Sequence, residues 1–533
     1  MTAENITSPA GTLTPDMDQL ATTSRGPVRV VEGNGGVARL TPAPNHPGTY
    51  LGMPKFPKAA KQELELGVQR KNMRNATTTI RNKRALRVSE SPDWEDLREA
   101  AAAVKNRVGR HLDHYLLQAE ENLTRNGVHV HWARDAAEAN RIVAEIAKAK
   151  GVDEVVKIKS ITSQETDLNE YLEEQGIAAW ETDLAELIVQ LGHDRPSHIV
   201  VPAIHRNRAE VREIFKREMG RYGRPAPEDI TSNPPELADA ARMHLREKFL
   251  RAEMAVSGGN FIIAETGSMV IVESEGNGRM CLTLPKTLVS IVGIEKVLPS
   301  FEDLEVFLKL LPRSATGERM NPYNSIWSGV TEGDGPQEQH VVLLDNGRTD
   351  VLADQVGREV LRCIRCASCL NICPVYERTG GHAYGSVYPG PIGAALNPQL
   401  RGVEHDVDRG LPYACSLCGA CNDVCPVKIP FTDILVHLRH KVVEAEKADR
   451  VPRDVEVGTE MALMKTAAWV MGDAKHFETV QRGSSLAGRA LRGRTLGPIP
   501  APVADRWLRY RDVDEVPKQS FRQWWGKNRK DGK

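Results

Sequence analysis

Cys363-Ile-Arg-Cys366-Ala-Ser-Cys369-Leu-Asn-Ile-Cys373-Pro374 and Cys415-Ser-Leu-Cys418-Gly-Ala-Cys421-Asn-Asp-Val-Cys425-Pro426 are two copies of one pattern, C-x2-C-x2-C-x3-C-P. Eight of the nine cysteines of the 533-residue chain fall inside them. The spacing is that of bacterial ferredoxins and predicts two [4Fe–4S] clusters. Three cysteines at this spacing share one tight loop, so their thiolates converge on one cube. The fourth, ahead of proline, opens the next helix and points away. In two-cluster ferredoxins it ligates the other cluster. The expected sets are therefore Cys363, Cys366, Cys369 with Cys425, and Cys415, Cys418, Cys421 with Cys373. Pro374 and Pro426 end each loop and remove an N–H that would need a partner. A pair of zinc sites is the alternative, but zinc loops favour two distant C-x2-C pairs. The ninth cysteine, Cys281, stands in strand-like sequence and reads as a small buried hydrophobe.

Outward from the copies, residues 355–363 read as a helix leading into the first and 432–443 as a helix leaving the second. The Gly/Pro-rich stretch 380–391 between them reads as a loop that packs on a cluster and shields it, or as a plain connecting loop. Upstream, 128–344 alternates strand-like and helix-like segments. Strands are expected at 128–132, 154–159, 178–181, 199–204, 261–265, 269–273, 282–284, 289–292 and 341–344, and helices at 136–150, 166–175, 184–192, 208–219, 234–256 and 301–311. Such alternation predicts a largely parallel sheet covered by helices on both faces. Thr266-Gly267-Ser268 reads as a tight turn or hairpin. The stretch 312–348 reads mostly as loop, and the fork of Arg313 suits a carboxylate or phosphate, or a structural ion pair.

The expected plan is a disordered Pro/Gly-rich arm at 1–50, a helical region at 51–127, an α/β domain at 128–350, a helical ferredoxin-type domain at 351–450 and a helical region with a basic tail at 451–533. Helices are expected at 58–80 and 94–122, and Arg70, Lys71, Arg74, Arg81, Lys83, Arg84 and Arg87 make this region basic, read as a solvated face with docking of an acidic partner as the alternative. Trp524 and Trp525 lie among Arg522, Lys527, Arg529 and Lys530. They read as a tail packed on the domain, with an anchor to a partner or a membrane surface as the alternative. A net charge of −1 gives no field for nucleic acid. No apolar run reaches the length of a transmembrane helix. No export signal is evident, and thiolate ligands fit a cytoplasmic location, membrane-peripheral at most.

Several stretches occur together in one order: 196–205 (PSHIVVPAIH), 311–317 (LPRSATG), 345–348 (DNGR), the loop 380–391 and both cysteine copies. In these the chain resembles the lactate utilization protein B family, iron–sulfur subunits of a bacterial lactate-oxidising system, over about 55–440. The resemblance implies an α/β domain similar to the sugar-phosphate isomerase and coenzyme A transferase superfamily. It implies as partners a cysteine-rich subunit of the heterodisulfide-reductase type and a second protein with the same α/β domain. It implies NAD-independent oxidation of L-lactate to pyruvate, the electron acceptor left open. Site candidates in the α/β domain are Lys159, Ser160, Glu181, Asp183, Glu265, Thr266 and Gly267, at expected strand ends where such sheets bind ligand, together with Arg313. A self-contained 2-hydroxy-acid oxidoreductase is the second reading. A redox-sensing scaffold is the third, although two clusters with crossed ligands exceed what a sensor needs.

Overall fold

The apolar runs between 128 and 344 become ten strands in a computed structural model: β1 (Val128–Ala133), β2 (Glu154–Lys157), β3 (Ala178–Glu181), β4 (Met254–Ser257), β5 (Phe261–Ile263), β6 (Ser268–Glu273), β7 (Thr287–Gly293), β8 (Val297–Leu298), β9 (Tyr323–Trp327) and β10 (Glu338–Leu344). The structure describes residues 54–448, 450–451, 455–491, 517 and 519–529, so the arm expected at 1–50 lies outside the described residues. Six strands form one sheet in the order β1-β10-β7-β4-β2-β3, every pairing parallel. β3, β4 and β7 are buried along their whole length, as a sheet covered on both faces requires. The helix Ala136–Ala149 lays Ala139, Val143 and Ala147 on it. Asp135 starts that helix by accepting the Glu138 N–H at 2.9 Å. A smaller sheet, β8-β5-β6-β9, holds the expected hairpin as the antiparallel pair β5 and β6.

Five local expectations fail for identifiable reasons. Residues 199–204 form bends and turns, not a strand. Pro196 and Pro202 cannot donate to a ladder. The ring Nδ1 of His198 instead accepts the Val200 and Val201 N–H groups at 3.1 and 2.9 Å. Residues 282–284 lie at the end of the helix Asn277–Thr283. Its first turn is capped by the Glu273 carboxylate, which accepts the Gly278 and Arg279 N–H groups at 2.8 Å each. The helix expected over 234–256 stops at Arg251, and Met254 already belongs to β4. Pro312 to Ala315 continue the helix Phe301–Ala315. Burial of Leu304, Phe307, Leu310 and Leu311 overrides the proline there. Ahead of the first cysteine, 357–362 is a 3-10 helix rather than an α-helix.

One apolar core runs from the N-terminal helices Gly67–Ser89 and Trp94–Arg110 through the smaller sheet to the cysteine loops. It joins Met73, Trp94, Phe261, Phe307, Cys369 and Leu438. The basic helix face expected to be solvated is partly engaged in it. Arg84 and Arg98 donate to the carbonyls of Val424 (3.0 Å) and Cys425 (2.9 Å), and Lys83 pairs with Glu318 at 3.3 Å. The described residues through Val442 make one compact unit, and the described residues from Val443 make a second. In the second unit Trp524 and Trp525 are exposed, each stacked on Phe521 at 5.8 Å, rather than packed under it. No helix among the described residues is long and apolar enough to cross a membrane.

Candidate functional site

The two cysteine loops repeat in shape as well as in sequence. Arg365 and Ala367 in the first copy, and Leu417 and Gly419 in the second, occupy equivalent positions and all have positive φ: 60°, 62°, 54° and 80°. Three of the four are not glycine, so each loop holds a costly conformation that its surroundings must enforce. What the twist achieves is an N–H aimed at sulfur. Arg365 donates to Cys363 Sγ at 3.4 Å, and Leu417 to Cys415 Sγ at 3.3 Å. The fourth cysteines are served from the chain that follows them, Cys373 Sγ by the Tyr376 N–H (3.5 Å) and Cys425 Sγ by the Ile429 N–H (3.4 Å).

Cys363, Cys366, Cys369 and Cys425 line one small cavity of about 20 Å³, walled by Ile199, Ile364, Ile392, Val427 and Phe431. Cys373 lies in electrostatic range of Cys415 and Cys418, and Cys421 in range of all three. The first group is wholly buried; in the second, Cys415 is half-buried and Cys418 exposed. Four converging thiols, N–H donors to sulfur and dry aliphatic walls are the donor set an iron–sulfur cluster takes. Burial pushes Cys425 and Cys421 up to about 12 as free thiols, so metal binding must displace their protons. The loop 380–391 places Tyr376's neighbours Tyr384 and Tyr388 in the interior, with Tyr384 in range of Cys373 and Cys415.

A second, larger cavity of about 320 Å³ opens at the carboxyl ends of β2 and β4. This is where parallel α/β sheets bind ligands. Of the sequence candidates, Lys159, Ser160 and Asp183 line it. Lys159 Nζ donates to the Val200 carbonyl at 2.8 Å and stands 3.3 Å from Asp183. Gly258 lets the chain pass close by, since a Cβ there would sit 2.5 Å from Ser160 Oγ. Glu181 is outside the cavity, paired at 2.8 Å with the buried Lys157. Glu265, Thr266 and Gly267 are elsewhere altogether. Their hairpin belongs to the smaller sheet and is covered by the helix Leu112–Arg125. Glu265 accepts the Phe301 N–H at 2.9 Å, and the Thr266 carbonyl accepts from Asn126 at 2.8 Å. A Cβ on Gly267 would strike the Asn122 backbone at 2.6 Å. Arg313 donates to the carbonyls of Lys309 (3.0 Å) and Arg319 (2.7 Å), so it closes its own helix end and lines neither of these two cavities.

Sequence reasoning missed Lys296, Glu275 and Arg365, which also line the larger cavity. The available signal was a lysine interrupting the apolar run 287–298. Ile199, Ile364 and Arg365 line both cavities, so the ligand-sized one and the four-cysteine one share a wall. Beneath that wall Arg348 joins Glu165 and Glu295 in a buried network with Tyr388.

Glu186, beside this cavity, is buried near Glu181 and Asp183, and burial first and those carboxylates second push it up to about 8. A carboxyl raised in the folded state is stable below its unfolded value and costs stability as pH climbs towards its folded one. Glu186→Gln is therefore expected to raise the free energy of urea unfolding at pH 8, by about 1–3 kcal/mol, and to leave it unchanged at pH 4.5. An equal change relative to the parent at both pH values would refute this.

The 4Fe-4S dicluster domain family matches residues 359–429, and the LUD domain family matches 116–344. Lactate utilization protein B of Bacillus cytotoxicus is 38% identical over 474 residues, 87% of this chain and 96% of that one. The protein of the same name from Exiguobacterium sp. is 41% identical over 478 residues, 89% of this chain and 97% of that one. The chain belongs to the lactate utilization protein B family. "Uncharacterized electron transport protein YkgF" of Escherichia coli is similar at 40% identity over 477 residues, 89% of this chain and 96% of that one. A DUF162 family protein of Deinococcus radiodurans aligns with 44% of this chain and 98% of its own, at 14% identity and a TM-score of 0.25. In this member of the lactate utilization protein B family, the dicluster match takes in both cysteine loops, and the LUD match all ten strands.

Proposed function

We propose that this protein is the iron–sulfur electron-transfer subunit of an NAD-independent complex that oxidises L-lactate to pyruvate. The observation that carries the reading is the shared wall of Ile199, Ile364 and Arg365 between the cavity at the sheet edge and the four-cysteine cavity. The names of the lactate utilization relatives support the substrate. Cys363, Cys366, Cys369 and Cys425 would hold one [4Fe–4S] cluster, and Cys373, Cys415, Cys418 and Cys421 the other. Such clusters, when bound, accept and donate electrons one at a time. The chain's own part is to order the donor sets. The first adjoins the larger cavity, and the second reaches the surface at Cys418. Aliphatic walls keep water from the inner set, and the N–H groups of Arg365 and Ile429 neutralise charge on its sulfurs. The α/β part stands as a relative of the isomerase and coenzyme A transferase superfamily. The partners are a heterodisulfide-reductase-type cysteine-rich subunit and a second LUD protein, all in the cytoplasm.

The test is L-lactate added anaerobically to the assembled complex, with cluster absorbance near the visible maximum as readout. Bleaching by L-lactate is expected. Bleaching by a different 2-hydroxy acid and not by lactate would move the substrate. The same shared wall favours one second reading, that this chain alone is a 2-hydroxy-acid oxidoreductase. Turnover of lactate by the purified chain with a dye acceptor would establish that, and an inert chain would remove it.

A further inference from the structure

Lys296 follows β7 in a short 3-10 turn and is 5% exposed. Among the described residues, no hydrogen bond or ion pair engages its ammonium, although the residue lines the larger cavity. A buried charge without a partner is costly, and structures normally neutralise or pair it. Its surroundings add to the imbalance. Lys105, Lys296, Arg348 and Arg365 gather here against two carboxylates, Glu165 and Glu295, and the sulfur of Cys363. Both carboxylates are already committed, Glu165 to Arg348 at 2.9 Å and Glu295 to Arg348 at 2.5 Å and to Arg365 at 3.2 Å. Arg365 carries a further sign of incompleteness, a buried Nε with no hydrogen-bond partner. The cationic side of the cavity is thus built and under-compensated. Asp183, Glu273 and Glu275 also line the cavity, Asp183 paired with Lys159 at 3.3 Å. Ile158, Ile271, Val200 and Leu311 complete the lining.

We propose that this cavity is a monocarboxylate site, in which the Lys296 ammonium holds the carboxylate of a small organic acid with the Arg365 guanidinium beside it. The inference deepens the proposed function and rests on it only for which acid is bound. The carboxylate supplies the charge that the buried cations lack. The aliphatic side walls accept a short carbon chain. The lining carboxylates Glu273 and Glu275 repel a second anionic group, so a dicarboxylate or a phosphate is disfavoured. The pocket's position on the wall of the four-cysteine cavity brings the bound acid beside the loop 363–366.

The competing account is that Lys296 only offsets the negative charge of a cluster behind the wall. Thermal melting of the cluster-loaded protein separates the two. Sodium L-lactate, propionate, L-malate and inorganic phosphate are compared at equal ionic strength, since a ligand that binds the folded state alone raises its midpoint. Lactate and propionate are expected to raise the midpoint; malate and phosphate are not. Lys296→Met is expected to keep its iron and to melt no lower than the parent, because it removes an unpaired buried charge. It should weaken carboxylate binding at least tenfold. Lys148→Met, at an exposed lysine on the helix Ala136–Ala149, should bind as the parent does. A propionate response without a lactate response would uphold the carboxylate site and overturn the lactate reading. Phosphate binding in place of carboxylates, absence of any response, or a Lys296→Met protein that binds normally while its cluster potential shifts would each overturn the site.

Discussion

Cys425→Ser is expected to lose the same half of the iron as Cys363→Ser, although the two cysteines belong to different copies of the motif. The reason is geometric. Cys425 closes the cavity that Cys363, Cys366 and Cys369 open, while Cys373 keeps company with Cys415, Cys418 and Cys421. Each fourth cysteine starts the chain segment that leaves its loop, and that segment runs past the other loop. The helices Ser368–Ile372 and Ala420–Val424 lie side by side as the elements that carry the chain across. Cys373→Ser and Cys415→Ser should likewise remove one and the same cluster, the other one. Iron and sulfide analysis with electron paramagnetic resonance of the reduced protein reads this directly. Pairing Cys363→Ser with Cys425→Ser should cost no more iron than either alone, whereas pairing Cys363→Ser with Cys415→Ser should remove nearly all of it. Growth on lactate is expected to stop in every case. If Cys425→Ser instead abolishes the signal that Cys415→Ser abolishes, each copy holds its own cluster and the crossed assignment is wrong.

The features legible in the sequence are those that rest on local chemistry. The cysteine spacing marks the loops, and the alternation of apolar segments gives the parallel sheet. The features hidden in it depend on what packs against what. Residues 199–204 have the composition of a strand, yet His198 offers its ring to the backbone and stops any ladder. Pro312 looks like a helix end, yet four apolar side chains hold the helix through it. Thr266-Gly267 sits at a strand end like a ligand loop, but at the end of a strand in the wrong sheet, with a helix on top of it. Lys159 and Asp183 were found because they follow strands of the parallel sheet. Lys296 and Arg365 were not, because their importance comes from the wall they share with the cysteine cavity. Periodicity carries no sign of a contact between residues that distant in the chain.

Arg348→Met is expected to be the most damaging change outside the cysteines, destabilising the protein by about 3–5 kcal/mol, the range for removing one partner from a buried ion pair. Arg348 is 1% exposed and is the hub of the buried network. Its two terminal nitrogens grip Glu165 at 2.9 Å each, its Nε reaches Glu295 at 2.5 Å, and it also bonds the Asp345 carbonyl at 3.0 Å. The Glu295 carboxylate would retain Arg365, with Lys105 still on its backbone carbonyl. Glu165 would keep only the Tyr388 hydroxyl and Asn346, and would become the uncompensated charge. Arg348→Lys should recover little, because a single ammonium cannot reproduce the two-pronged contact. Adding Glu165→Gln to Arg348→Met should recover much of the loss, since it removes the orphaned charge. The pH dependence has a definite sign. In the parent, the cations around Glu295 hold its carboxyl down to about 2, and Arg348 holds Glu165 below the usual carboxylate range. The stability these groups contribute is therefore present above the unfolded carboxylate value and lost as pH falls below it. In Arg348→Met, burial without its cation raises the Glu165 carboxyl, which then takes up a proton as pH falls from neutral, so the deficit should be largest at neutral pH and shrink towards pH 4.5. Urea unfolding at pH 7 and pH 4.5 tests it: an equal deficit at both would mean that Arg348 acts through packing of its stem and not through its charge.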